Sequence, residues 1–177
     1  MHRHTRGYTL YELLITTGLI AVLLVEGIPS FASIAARQRQ SAEINALFHA
    51  IHVARKESIM RRRVVSLCPS LDGLRCANST DWSSGWLMFE DSDRDTPPTV
   101  DAGEPVLQRH AVASDIIVQA NRRSFTLRAT FLRATNGTFI VCDRGGRIPA
   151  KGLVISYTGR PRVALSRTRG KPYSCAH

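Results

Sequence analysis

Acidic side chains all but vanish from the last third of this chain: residues 121 to 177 carry twelve Lys/Arg and a single carboxylate, Asp143. The middle third is the reverse, with six Lys/Arg against nine Asp/Glu, and residues 1 to 60 hold six against four. The thirds carry +2, −3 and +11, so the net charge of +10 belongs to the C-terminal end. A field of that sign attracts nucleic acid, anionic lipid or an acidic protein, and it equally suits a solvated basic surface. Metal-binding spacing is missing too. Cys68, Cys76, Cys142 and Cys175 form no C-x-x-C pair, which argues against zinc and against a thioredoxin-like dithiol. Four cysteines allow three pairings. In an oxidising compartment, Cys68 with Cys76 would close a short loop around Pro69, Asp72 and Gly73, and Cys142 with Cys175 would pin the C-terminal tail to a strand. That is the pairing expected.

Enzymatic and metal motifs are equally scarce. Asp91, Asp93, Asp95 and Asp101 suggest a calcium loop, but Thr96 stands where an EF-hand needs glycine and no glutamate closes the run, which leaves a solvated acidic turn. Nothing places His110, Asp115 and the scattered serines in a triad motif. Helix-turn-helix and zinc-finger spacings are not seen either. The expectation is a non-enzyme with no cofactor and no metal.

What is present begins with length and one long apolar run. A chain of 177 residues with 44% hydrophobic content has room for one core and one extra element. Leu13 to Val25 holds no charge, and the apolar stretch extends from Leu10 to Phe31 with Glu12, Glu26 and Pro29 as interruptions. A spanning helix needs about 20 such residues. Arg3 and Arg6 precede it without an acid, which places the first residues in the cytoplasm and the rest outside. An A-x-A site after the run is absent, so an ordinary cleaved secretory signal fits poorly.

The segment Arg6-Gly7-Tyr8-Thr9-Leu10-Tyr11-Glu12-Leu13-Leu14 resembles the class III signal of type IV prepilins. The resemblance implies cleavage by prepilin peptidase after Gly7, N-methylation of Tyr8, and a role in assembly for Glu12, fifth in the mature chain. Tyr8 departs from the usual Phe but keeps the aromatic. A carboxylate in a bilayer costs a few kcal/mol unless paired, and in the filament implied by the resemblance the freed amine of Tyr8, of the same or a neighbouring subunit, is the partner. Beyond the membrane Ile44, Leu47, Phe48, Ile51, Ser58 and Ile59 follow helical spacing, with Arg37, Arg39, Glu43, Lys56 and Glu57 at polar positions. The helix is expected from Tyr8 to about Arg62, with Arg61-Arg62-Arg63 offsetting its dipole. His49, His52 and His110 are expected on helix or strand surfaces.

After Arg63 the period changes to short β-like runs: 64–68, 85–90, 106–110, 115–120, 124–130, 138–142, 153–157 and 162–165. The fold class expected is α+β, a long N-terminal helix packed on an antiparallel β-rich domain. The intervals are 1–7 as leader, 8–36 as transmembrane and filament-core half-helix, and 37–177 as periplasmic domain. Val65 to Ser70, Trp82, Gly85 to Phe89, Gly137 to Cys142 and Ser156 to Arg162 resemble the FimT/GspH family of minor pilins and minor pseudopilins. Trp82 and Trp86 are read as packing residues.

FimT-like proteins implicated in DNA uptake carry a Gly-Arg-x-Arg segment that Gly159-Arg160-Pro161-Arg162 resembles. Gly159 permits a tight turn, Pro161 stiffens it, and Arg160 and Arg162 can engage phosphates. Arg122, Arg123, Arg144, Arg147, Lys151, Arg167, Arg169 and Lys171 share this basic third. Its aromatics, Phe125, Phe131, Phe139, Tyr157 and Tyr173, are mostly in strands, so contact with phosphates of double-stranded DNA, without sequence preference, is expected. The leading expectation is a minor type IV pilin that joins other pilin subunits, moves from the inner membrane to an extracellular pilus, and binds DNA for natural transformation. The alternatives are a structural or priming minor pilin, or a minor pseudopilin of type II secretion.

Overall fold

The computed structural model describes residues 9–129 and 134–175. Gly7, Tyr8 and Phe131 lie outside the described residues. One helix, α1 (Leu10–Arg61), is followed by β1 (Val64–Pro69), β2 (Trp86–Asp91), β3 (Val106–His110), β4 (Ile116–Ala120), β5 (Phe125–Leu127), β6 (Gly137–Asp143), β7 (Lys151–Ile155) and β8 (Pro161–Ala164), with a short 3-10 turn at Thr168–Gly170. Contacts divide the chain after Ala35 into two compact units.

In the first unit the helix presents bare apolar side chains, among them Leu14, Leu19, Leu23 and Phe31. Among the described residues α1 is the one helix long and apolar enough to cross a membrane. It opens on a capping box: Thr9 Oγ1 accepts from the Glu12 N–H at 3.3 Å, while Glu12 Oε2 accepts from the Thr9 N–H at 3.0 Å. Thr16 and Thr17 turn their hydroxyls back onto the Leu13 carbonyl at 3.0 and 2.8 Å, which hides the donors within the helix.

In the second unit α1 buries one stripe: Ala36, Gln40, Glu43, Ile44, Leu47, Ala50, Ile51, Ala54 and Ser58. Ile59, expected on this face, is 51% exposed, because Ser58 takes the inward position. Ala50 and Ala54 were not singled out, yet their small side chains let the sheets approach the helix. Glu43, read as a polar surface position, is buried, and His110 is only partly exposed. Glu43 accepts from the Ala113 N–H at 3.1 Å and lies 2.7 Å from His110 Nε2, whose ring stacks on Trp86. Arg62, with φ 54, ends the helix in the left-handed region. Arg61 pairs with Glu57 at 2.6 Å, and Arg61 and Arg63 reach Glu90 of β2 at 3.7 and 3.3 Å. The arginine run therefore fastens the helix end to a sheet.

The strands form two antiparallel four-stranded sheets, ordered β3-β2-β1-β5 and β4-β6-β7-β8. Each run with β periodicity contains a strand, though β5 pairs with β1 over only three residues, Phe125 to Leu127. β1 and β2 are buried at every position: one face meets the main core, and on the other Cys68, Leu87 and Phe89 pack with Val100 and Val106. The main core joins the helix stripe to both sheets, and its centre is an aromatic trio. Trp82 meets Phe139 edge-on at 4.8 Å, Phe139 lies 4.5 Å from Phe125, and Trp82 and Phe125 are 5.8 Å apart. Both tryptophans are packing residues, as their full burial requires.

Leu47→Ala, at a fully buried position, is expected to cost about 2–5 kcal/mol, read from the urea midpoint of tryptophan fluorescence. Ile59→Ala is expected to change stability by less than about 0.5 kcal/mol.

Candidate nucleic-acid interface

The Gly-Arg-Pro-Arg segment forms the turn from β7 into β8, an edge strand of its sheet. Ser156 organises it. The Gly159 N–H donates to the Ser156 carbonyl at 2.9 Å, the Ser156 N–H to the Arg160 carbonyl at 3.1 Å, and the Arg160 N–H to Ser156 Oγ at 3.2 Å. Pro161 opens the edge strand, where a missing N–H leaves no ladder bond unmade. Gly159 has φ +73 and is buried: a Cβ there would lie 2.9 Å from Arg55 Nη1 and from Leu127 Cδ1. Arg55 donates to the Thr158 carbonyl, tying the turn to α1. Gly159, grouped with the contact residues on sequence, is thus a turn-former under the surface, while Arg160 and Arg162 are exposed.

Nine of the twelve cations of the basic third separate into two sets. Four arginines are bound to neighbouring loops: Arg122 Nε donates to the Asn136 carbonyl at 3.1 Å, Arg123 Nη1 to Asn78 Oδ1 at 3.1 Å, Arg144 Nε to the Ser114 carbonyl at 3.0 Å, and Arg147 forks onto both oxygens of Asp143 at 3.0 and 2.6 Å. Arg160, Arg162, Arg167, Arg169 and Lys171 are exposed and have no carboxylate partner among the described residues. The unopposed charge therefore lies on β8, the turn before it and the tail after it. Lys151 is half-buried on β7.

The tail is held in place by covalent bonding and packing. Cys142 of β6 is bonded to Cys175, and Cys68 of β1 to Cys76. Elsewhere among the described residues, Asp91, Asp93 and Glu104 bring carboxylate oxygens within 4.8 Å of one another, as do Asp93, Asp95 and Asp101. Among the described residues these are the groups that could hold a cation, and Glu104 was not among those singled out on sequence. Several of these oxygens serve the loop itself: Asp91 accepts from Ser66 Oγ and the Arg94 N–H, and Glu104 from the Ser92 and Asp101 N–H groups. Burial raises the Asp91 carboxyl above its usual range. Asp115 pairs with Arg39, whereas His110 contacts Glu43.

A long helix whose outer half packs on two antiparallel sheets defines the type IV pilin-like fold. The chain belongs to the family of the type II transport protein GspH, whose model matches residues 43–159. Among solved structures it is similar to the type IV minor pilin FimU of Pseudomonas aeruginosa, with 22% identity and a TM-score of 0.50 over 72% of this chain and 91% of that one. In a second crystal form of FimU the values are 23%, 0.51, 78% and 94%. The minor pseudopilin EpsH from the type 2 secretion system of Vibrio cholerae is similar at 7% identity, with a TM-score of 0.51 over 71% of this chain and 96% of that one. No curated protein sequence matches the chain. The chain thus combines membership of the GspH family with the fold of these minor pilins and pseudopilins.

Hydrogen bonds from the Arg147 guanidinium hold the Asp143 carboxyl below the usual carboxylate range. Its contribution is complete above the unfolded pKa of about 3.9 and is lost as pH falls through the lower folded value. Asp143→Asn should therefore destabilise fully at pH 7 and progressively less below pH of about 4, as urea unfolding at several pH values would show.

Proposed function

We propose that this chain is a structural minor subunit of a type IV pilus, made as an inner-membrane precursor with residues 1–7 as leader, 8–36 as the membrane-spanning and filament-core half-helix and 37–177 as the periplasmic domain. The observation that carries this reading is the bare apolar half of α1, broken near its start by one carboxylate, Glu12. In the unassembled chain the capping box satisfies that carboxylate within the helix. In the filament the methylated Tyr8 amine released by prepilin peptidase after Gly7 takes over as its partner, so assembly gains an ion pair in a medium where an unpaired charge is costly. Glu12→Ala is expected to leave the chain in the membrane fraction and remove it from sheared filaments; recovery of the variant in filaments at the wild-type level would defeat the proposal.

A second reading is favoured by the unopposed cations at 160, 162, 167, 169 and 171. Such an edge suits the phosphates of double-stranded DNA, bound without sequence preference and with steep salt dependence. In this reading the subunit gives a pilus affinity for extracellular DNA and supports natural transformation. Several copies along one filament would raise avidity. For the full chain in detergent micelles, Arg160→Gln with Arg162→Gln should flatten the salt dependence of duplex binding by about two phosphate contacts. An unchanged slope on unrelated duplexes would count against it.

A further inference from the structure

The outward face of the β4-β6-β7-β8 sheet is partly roofed by the C-terminal tail. Gly152 of β7 makes room for it, since a Cβ there would come within 2.4 Å of Tyr173 Cζ. The tail closes on itself where the Arg167 N–H donates to the Lys171 carbonyl at 2.7 Å, and it is stapled to β6 through Cys175. Between tail and sheet lies an open groove of about 510 Å³. Ile140, Val154 and Tyr173 line it with apolar surface, and Arg162 from β8 and Arg167 from the tail line it with charge. The Arg167 guanidinium sits 5.7 Å over the Tyr173 ring, and no acidic residue lines the groove. Arg160, Arg169 and Lys171 lie outside its lining.

This arrangement separates two kinds of contact. A duplex touching the exposed cations would place its phosphates on their tips and leave the apolar lining wet. A single strand can do more, because an unpaired nucleotide presents a base and sugar that can lie against Ile140 and Val154, with Asn121, Thr138, Ser166 and Thr168 offering polar groups around them, while its phosphate meets the charge beside them. The volume falls in the range of cavities that enclose a small molecule, roughly 300–1,000 Å³. A guanidinium resting on an aromatic ring also offers a flat cationic face to a base.

We propose that the groove binds a single phosphodiester strand, with a phosphate between Arg162 and Arg167 and the attached nucleoside against Ile140 and Val154. The proposal rests on the DNA-contact reading above and narrows it to unpaired DNA. Arg162 and Arg167 are binding residues; Gly152, Tyr173 and the Cys142–Cys175 bond position the tail.

The test is fluorescence anisotropy of the full chain in detergent micelles, with a 12-nucleotide oligothymidylate and a 12-base-pair duplex at low salt. The single strand is expected to bind about ten-fold more tightly than the duplex, the scale of one base contact. Arg167→Gln removes one phosphate contact from either DNA but the base contact from the single strand alone, so it should weaken single-strand binding by about ten-fold and duplex binding by about three-fold or less. Val154→Phe, which fills the groove from its lining and keeps every cation, should act in the same direction; an unchanged urea midpoint certifies either variant as folded. Equal loss on both DNAs, or a duplex bound as tightly as the single strand, overturns the groove proposal and leaves DNA contact standing. Binding of neither DNA overturns both. Competition by oligoglutamate as effective as that by oligothymidylate would assign the groove to an acidic protein segment, against the proposal.

Discussion

Both sheets find the apolar partner for their inner faces on the outer half of α1. Leu47, Ala50, Ile51 and Ala54 are wholly buried there, in one cluster with Val65 and Leu67 of the first sheet and Val118, Phe139 and Leu153 of the second. An amphipathic sheet exposed to water on its apolar face is not stable, so the helix is the condition for the domain. Polar groups within the stripe have to be matched to sheet positions. Gln40, with no exposure, donates through Nε2 to the carbonyls of Val141 and Pro149, both at 2.9 Å. Glu43 meets His110 and the Ala113 N–H. These contacts fix which helix turn faces which strand, because a shifted register would bury an amide or a carboxylate without its partner.

The electrostatics follow from that scaffold. Asp143, the one carboxylate in the last third, is buried at the end of β6 and neutralises Arg147. Arg122, Arg123 and Arg144 donate to loop oxygens and act as fasteners. The remaining cations of the turn, β8 and the tail face solvent without a counter-charge, so a total spread over 57 residues of sequence is expressed on a much smaller surface. The acidic loop near Asp93 and Asp101 lies in the middle third of the sequence and forms no ion pair with these cations among the described residues.

Much of this architecture is legible in the sequence. The apolar run of residues 13 to 25 marks the bare first half of the helix, and the short β-like runs after Arg63 mark the strands, although β1 and β2 are buried on both faces and show no alternation. Ala50 and Ala54 escaped notice because alanine fits buried and exposed helix positions alike. Glu43 and His110 escaped for a different reason: they are 67 residues apart, and neither type of side chain announces burial. At the candidate interface, the Gly-Arg-Pro-Arg turn could be read locally, but which arginines remain unopposed could not. That depends on Asn78 and Ser114 from outside the basic third and on Asn136 within it, which meet their arginines only once the sheets have formed. The tail groove was hidden for the same reason, since Gly152 and Tyr173 carry no motif linking them.

The Cys142–Cys175 bond joins the tail to β6, a strand flanked on both sides. Next to Cys142, the Val141 carbonyl is held by Gln40 of α1. Traction on the tail is therefore delivered through covalent bonds to the sheet interior, beside the point where the sheet is bonded to the helix. The edge strand β8 is bypassed, so it is spared the strand-by-strand unzipping that an unstapled tail would impose on it. A subunit built this way can bear a load applied at its basic end without first losing the strand that displays Arg162.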